Sequence, residues 1–248
     1  MKDERREHLD GNVVVWMAEV STSLDALRFL EPCLDAQERE RAARFHFAED
    51  RARYVWGRGL VRNLLGCYLS QEPETIDLAV TDRGRPYFPG DETMHFSITH
   101  SHNLVAVGLT ARARVGIDIE YMERKLNLED LAERILSAED FRVFQVLPDR
   151  VMVPTFFRIW TRKEAYLKGT GEGITDALKE ITVSMHAEEI GTIADARDEA
   201  GTKKWRIHSL ALPENYMGCV ACDDAAKQVD FRRVRFDSGE VIEEPTSR

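Results

Sequence analysis

Between Met94 and Glu120 three apolar, β-branched runs follow one another with little chain between them: Met94 to Thr99, Leu104 to Leu109 and Val115 to Glu120. Runs this short and this closely spaced read as strands, and the Ser101-His102-Asn103 link is short enough for a hairpin. Such strands need a layer to cover them, and helical spacing supplies one on either side. Before them, Asp35 to Phe45 and Glu49 to Leu69 are helical, with Tyr54, Leu60, Val61, Leu64, Leu65 and Tyr68 marking a core face. After them come a helix from Leu128 to Leu136 and a second one capped by Ser137, with Asp140 three residues on. Pro154 opens a long helix through Phe156, Ile159, Trp160, Tyr166 and Leu167, which Gly169 and Gly171 end. Further strands are expected at Val13 to Glu19, Ile76 to Val80, Ile181 to Met185, Trp205 to Leu210, Met217 to Cys222 and Val229 to Phe236. Asp82-Arg-Gly-Arg-Pro is a turn, because glycine frees φ and proline fixes it. The class is α+β, with helices and strands in each half. The junction is expected at Arg112 to Arg114, giving halves 1–113 and 114–248.

The 248 residues, 43% of them hydrophobic, suffice for a sizeable core as one large domain or two smaller ones. No apolar run reaches membrane-spanning length. The first residues, MKDERREHLDG, mix charge signs, and the apolar stretch after them is broken by Glu19. A secretory leader is not expected, and the cytoplasm is the default location. A formal net charge of −10 argues against nucleic-acid binding. Against that background, Arg39 to Arg62 holds seven arginines against Glu40, Glu49 and Asp50, a net charge of +4. Two readings fit this window: a local patch for a small polyanion, or the solvated face of a helix.

Val115-Gly-Ile-Asp-Ile-Glu alternates apolar and acidic residues. In a strand Asp118 and Glu120 share one face and Ile117 and Ile119 the other. Two carboxylates on one face fit either a hard divalent cation, which prefers oxygen ligands, or an exposed edge strand kept soluble by its acids. Trp160-Thr-Arg-Lys-Glu-Ala-Tyr-Leu-Lys supplies a third acid: Glu164 and Lys168 lie one helical turn apart. That pair is either an ordinary surface ion pair or, with Arg162 and Lys163 crowding the acid, part of a phosphate-handling site. Phe96-Ser-Ile-Thr-His-Ser-His ends an apolar strand in hydroxyls and imidazoles able to donate to phosphate oxygens. His100 and His102 lack the further ligands of a zinc site. Cys219 and Cys222 have C-x-x-C spacing, but the segment reads as a strand and no second cysteine pair exists, so buried structural thiols are the expectation.

Four elements, Gly84-Arg-Pro, Phe96-Ser-Ile-Thr-His-Ser, Gly116-Ile-Asp-Ile-Glu and Trp160-Thr-Arg-Lys-Glu-Ala-Tyr-Leu-Lys, stand in one order along the chain. Together they resemble the 4'-phosphopantetheinyl transferases of the larger, surfactin-synthetase-activating (Sfp) type. The resemblance spans about Asp35 to Lys168. It implies a pseudo-dimeric fold of two similar α+β halves with coenzyme A in the cleft between them. It implies that Asp118, Glu120 and Glu164 bind magnesium and that Lys168 serves the pyrophosphate and leaving group. Lys163 matches the motif's other lysine and, by the resemblance, is expected to join in binding coenzyme A. Thr99 and His100 match residues near the coenzyme A phosphates, Arg85 and Pro86 an adenine-side contact, and Arg53 a basic residue at the 3'-phosphate. Thr99 stands where serine is common, and Arg85 where lysine is frequent. Arg39, Arg41 and Arg44 cannot be aligned securely.

The activity so implied is Mg-dependent transfer of 4'-phosphopantetheine to a serine of an apo acyl or peptidyl carrier protein by a cytoplasmic monomer, releasing adenosine 3',5'-bisphosphate. The first 113 residues would make the nucleotide contacts, and the rest would hold the metal and the catalytic helix. Two alternatives use the same residues: a Mg-dependent nucleotide pyrophosphate hydrolase, and a non-catalytic module that binds coenzyme A or a carrier. Phe141, Val143, Phe144, Val146 and Leu147 exceed what one buried face needs, and are read as core or as a docking surface.

Overall fold

The structure, a computed structural model, describes residues 7–122, 127–173, 176–187, 189–198, 204–237 and 240–244. The chain forms two compact units, one of residues 1–113 with 226–248, the other of residues 114–225.

The first unit opens with β1 (Asn12–Glu19), whose central six residues are buried. A short helix, Leu24–Leu30, is N-capped by Ser23. The helix Ala36–Ala43 starts in a capping box: Asp35 accepts from the Glu38 N–H while Glu38 reaches back to the Asp35 N–H. The 22-residue helix Ala48–Leu69 follows and packs on the sheet. After it come two short strands, β2 (Ala79–Val80) and β3 (Pro86–Tyr87), joined by the Asp82–Arg85 turn. Gly84 sits there at φ +81° and donates to Thr81 O at 2.8 Å, a conformation that costs glycine nothing. Then β4 (Met94–Ser101) and β5 (Leu104–Ala111) pair antiparallel, with Ser101 opposite Leu104 and a two-residue turn between. His102, at φ 50°, supplies the left-handed residue that turn requires.

The second unit opens with β6 (Val115–Tyr121). Helices Leu128–Ile135 and Ala138–Gln145 lead to the 22-residue helix Asp149–Thr170. That helix begins a turn earlier than expected: Pro148 is its N-cap, and Pro154 lies inside it. The N–H that proline lacks would have met the carbonyl of Arg150, an exposed residue that water can satisfy. Gly171, at φ 80°, ends the helix. Short strands β7 (Ile181–Val183), β8 (Ile190–Gly191) and β9 (Ile193–Asp195) precede β10 (Trp205–Ser209) and β11 (Tyr216–Asp223). A four-stranded sheet runs β6-β11-β10-β8, and β7 pairs with β9 apart from it. The long helix packs on β6 and β11.

The chain then returns to the first unit. β12 (Gln228–Asp237) runs parallel to β1, and β13 (Glu240–Glu244) edges a sheet of order β13-β12-β1-β5-β4. Residues 226–248 therefore group with residues 1–113, and not, as expected from the sequence, with 114–225. The N–H and C=O groups on the free edge of β1 are met by β12, and Val234 joins the first core cluster. Among the described residues, no helix is long and apolar enough to cross a membrane.

Candidate active site

Two glycines bring the long helix of the second unit onto β6. A Cβ on Gly116 would lie 1.9 Å from Ala165 O and 2.3 Å from Gly169 N. A Cβ on Gly169 would lie 2.5 Å from the Trp205 ring. Helix and strand thus approach more closely than any side chain at these positions permits. Gly116 is two residues from Asp118, and the helical segment lying over it, Ala165 to Gly169, is flanked by Glu164 and contains Lys168.

Asp118 is buried beneath this helix, and Lys168 Nζ donates to its Oδ1 at 2.6 Å. The solubility reading of the strand acids does not hold for Asp118. Ile117 and Ile119 are fully buried, while Glu120 is half-buried. Glu164 is 4% exposed, and its Oε1 is buried without a hydrogen-bond partner. Burial pushes its carboxyl up to about 7; the charges of Asp118 and Glu120 add to the rise, and Lys168 opposes it. Acids from one strand and one helix therefore feel one another, with a single ammonium among them.

Among the described residues, no three His, Cys, Asp or Glu side chains stand in an arrangement that would hold a metal ion. The chemistry of the donors still fits one. All three are carboxylates, the hard oxygen ligands magnesium takes, and Glu164 Oε1 is an orphaned buried acceptor.

The structure corrects the reading of the helix's other cations. Lys163 is 0% exposed and donates to the Ile135 and Leu178 carbonyls, each at 2.8 Å. It ties the helix to two neighbouring segments, its ammonium held between their backbone carbonyls. Burial holds its ammonium down at about 8, with the charge of Asp140 opposing. Arg162, equally buried, donates to Ser184 O and Oγ and to Ser209 Oγ. Neither cation crowds Glu164, because positions one and two residues away on a helix face elsewhere.

In the first unit, one cation reaches the strand that carries Thr99 and His100, and another the turn after it. Arg53 Nη1 donates to His102 O at 2.9 Å, and its Nη2 pairs with Asp50. Arg85 Nη2 lies 3.5 Å from Phe96 O, and the Arg85 carbonyl accepts from the Thr81 N–H at 2.9 Å. Thr99 is buried, His100 exposed, and Pro86 half-buried as the first residue of β3. The arginine-rich window divides. Arg62 is buried against Asp35, Glu38 and the Ile76 carbonyl, and Arg58 against Glu38. Arg41 lies over the Tyr54 ring at 5.2 Å and, with Arg44, lines a surface groove with Gln37, Glu40 and Phe45. Part of that charge is core architecture, which net charge alone could not reveal.

Cys219 and Cys222 are both buried in β11. Three residues apart in a strand, they point to opposite faces. Of the apolar surplus, Phe144 is buried, while Val143 and Val146 are 48% and 81% exposed.

A family model described as the 4'-phosphopantetheinyl transferase superfamily matches residues 114–221, and one described as 4'-phosphopantetheinyl transferase, N-terminal, matches residues 18–112. The chain is 33% identical over 216 residues to the 4'-phosphopantetheinyl transferase HetI of Nostoc sp., covering 86% of this chain and 88% of that one. It is 30% identical over 152 residues to a 4'-phosphopantetheinyl transferase of Bacillus subtilis, covering 61% and 66%. It is 26% identical over 162 residues to the transferase Sfp of Bacillus subtilis, covering 65% and 69%.

Proposed function

Since the chain belongs to the 4'-phosphopantetheinyl transferase superfamily, we propose that it moves the 4'-phosphopantetheine arm of coenzyme A onto a serine of an apo acyl or peptidyl carrier protein. The observation that carries this reading is buried Glu164, whose Oε1 has no hydrogen-bond partner and whose carboxyl feels the charges of Asp118, Glu120 and Lys168, beside the Lys168–Asp118 ion pair. In the reaction the serine Oγ forms a bond to the β-phosphorus of coenzyme A. The bond from that phosphorus to the bridging oxygen breaks, and adenosine 3',5'-bisphosphate leaves with the electron pair.

Glu164 receives the serine proton. With no metal ion beside it, burial lifts this carboxyl to about 7, which makes it a stronger base than an ordinary one. Lys168, half-exposed at the end of the helix, places its ammonium where charge builds on the leaving phosphate. Asp118 holds that ammonium in place. Asp118, Glu120 and Glu164 are also the residues that would hold a magnesium ion, which when bound offsets the pyrophosphate charge. In the first unit, Arg53, Arg85, Pro86, Thr99 and His100 bind the nucleotide of coenzyme A. Arg53 and Arg85 already have one partner each on the β4 strand or its turn, which limits the motion lost on binding.

Both residue sets lie on one chain, which supports a monomer, and the net charge of −10 disfavours nucleic acid as a partner. The cytoplasm, where coenzyme A and apo carriers meet, is the proposed location. Exposed Val143 and Val146 offer an apolar surface to a carrier. The test is mass spectrometry on a panel of apo carriers incubated with the chain, coenzyme A and magnesium. A mass gain on one carrier is expected. Release of phosphopantetheine without any carrier would point to a hydrolase, and binding with no product to a non-catalytic module.

A further inference from the structure

The helix that carries Glu164 and Lys168 is held a second time, away from the acids. Tyr166, buried in the second core cluster, donates its hydroxyl to Asp195 Oδ2 at 2.9 Å. Asp195 ends β9, opposite Ile181 of β7. Its carboxylate is gripped in turn by Arg197. The Arg197 backbone N–H and Nε reach Oδ1 at 3.0 and 2.8 Å, and Nη2 reaches Oδ2 at 2.5 Å. The same guanidinium pairs through Nη1 with Glu172, the residue after the helix-ending Gly171, and lies 3.8 Å from Glu180.

Asp195 and Arg197 therefore hold the chain on both sides of Lys168, at Tyr166 before it and at Glu172 after it. Last helical turns fray, because their carbonyls have no partners further along the helix. Lys168 lies in that last turn, and its long side chain reaches Asp118 only if its backbone is fixed. An ion pair with Arg197 30% exposed adds little to global stability, so what it chiefly supplies is geometry.

We infer that Asp195 and Arg197 are positioning residues for the transfer, fixing the last turn of the helix so that Lys168, and Glu164 one turn earlier, keep their places against β6. The inference rests on the transferase reading above. Neither residue belongs to the motifs that carry the family resemblance.

The test compares wild type with Arg197→Ala, Arg197→Lys and Asp195→Asn in steady-state transfer to an apo carrier, well below the unfolding midpoint of each variant. Arg197→Ala is expected to lower kcat about tenfold or more, since small misplacements are costly in rate, with a smaller change in KM for coenzyme A. Arg197→Lys recovers part of the loss. Amide hydrogen exchange at Tyr166 to Gly171 speeds up in Arg197→Ala, while β6 is unchanged. Wild-type kcat in Arg197→Ala and Asp195→Asn, with only a lower unfolding midpoint, would overturn the positioning role. A wild-type chain that modifies no carrier would instead overturn the transferase reading, so the two failures are told apart by the wild-type control.

Discussion

Lys168 Nζ lies 2.6 Å from Asp118 Oδ1, an ion pair that joins the last turn of the long helix to the strand it covers. The lysine is 32% exposed and the aspartate 5%, so one end of the pair faces solvent while the other is sealed in. Such a lysine can trade part of its contact for a phosphate oxygen without leaving the carboxylate. Lys168→Met is expected to lower kcat for transfer by about 100-fold, the usual cost of one preorganised charge at a developing anion. Steady-state assay on an apo carrier checks this; an unchanged kcat with a raised KM would make Lys168 a binding group only.

Lys163, five residues earlier, is expected to behave in the opposite way. Its ammonium serves two backbone carbonyls in the interior. Lys163→Met leaves both without a donor and should lower unfolding stability by about 1–3 kcal/mol, with kcat and KM kept in the folded fraction. Urea unfolding beside the transfer assay measures both. A selective rise in KM for coenzyme A, with stability unchanged, would restore the phosphate role.

Gly116 and Gly169 set how close helix and strand come. Gly116→Ala puts a methyl 1.9 Å from a backbone oxygen, which no side-chain rotation relieves. We expect a loss of at least about 1–3 kcal/mol, the usual range for overpacking, together with loss of transfer. An alanine variant as stable as wild type would mean that the helix does not lie this close.

Much of this site was legible in the sequence. The period-2 alternation from Val115 to Glu120 gave the strand and its acidic face. The i, i+4 spacing joined Glu164 to Lys168. That same helical period, about 100° per residue, turns Lys163 away from Glu164, which charge alone does not show. The return of β12 to β1 was not legible, since an apolar strand does not name its partner across two hundred residues. Asp195 and Arg197 lie in a short strand and a turn with no periodicity to mark them. The start of the long helix is not legible, because Pro154 looks like a first-turn proline although the five residues before it are already helical.

Stability should depend on pH through Glu164. Its folded-state carboxyl is raised from 4.5 to about 7, so between these values the native state holds a proton that the unfolded chain has released. The stabilisation is full below about pH 4.5 and is lost as pH rises through about 7. Urea midpoints of wild type and Glu164→Gln across this window should diverge, with the glutamine variant gaining relative stability as pH rises. Parallel profiles would show that Glu164 is not held in a protonated state by its surroundings.

Arg53 and Arg85 are expected to act on binding. On the proposed reading, replacing either with alanine would remove one charge-assisted contact to coenzyme A and should raise its KM on the order of tenfold, with kcat little changed. A fall in kcat with unchanged KM would place them at the reacting centre instead.

The most direct test of the account is Glu164→Gln beside wild type, with coenzyme A binding measured by calorimetry and carrier modification by mass spectrometry. Wild type is expected to add phosphopantetheine to an apo carrier, while the glutamine variant binds coenzyme A and leaves the carrier unmodified. Near-normal turnover by Glu164→Gln would contradict the claim that this buried carboxylate takes the serine proton.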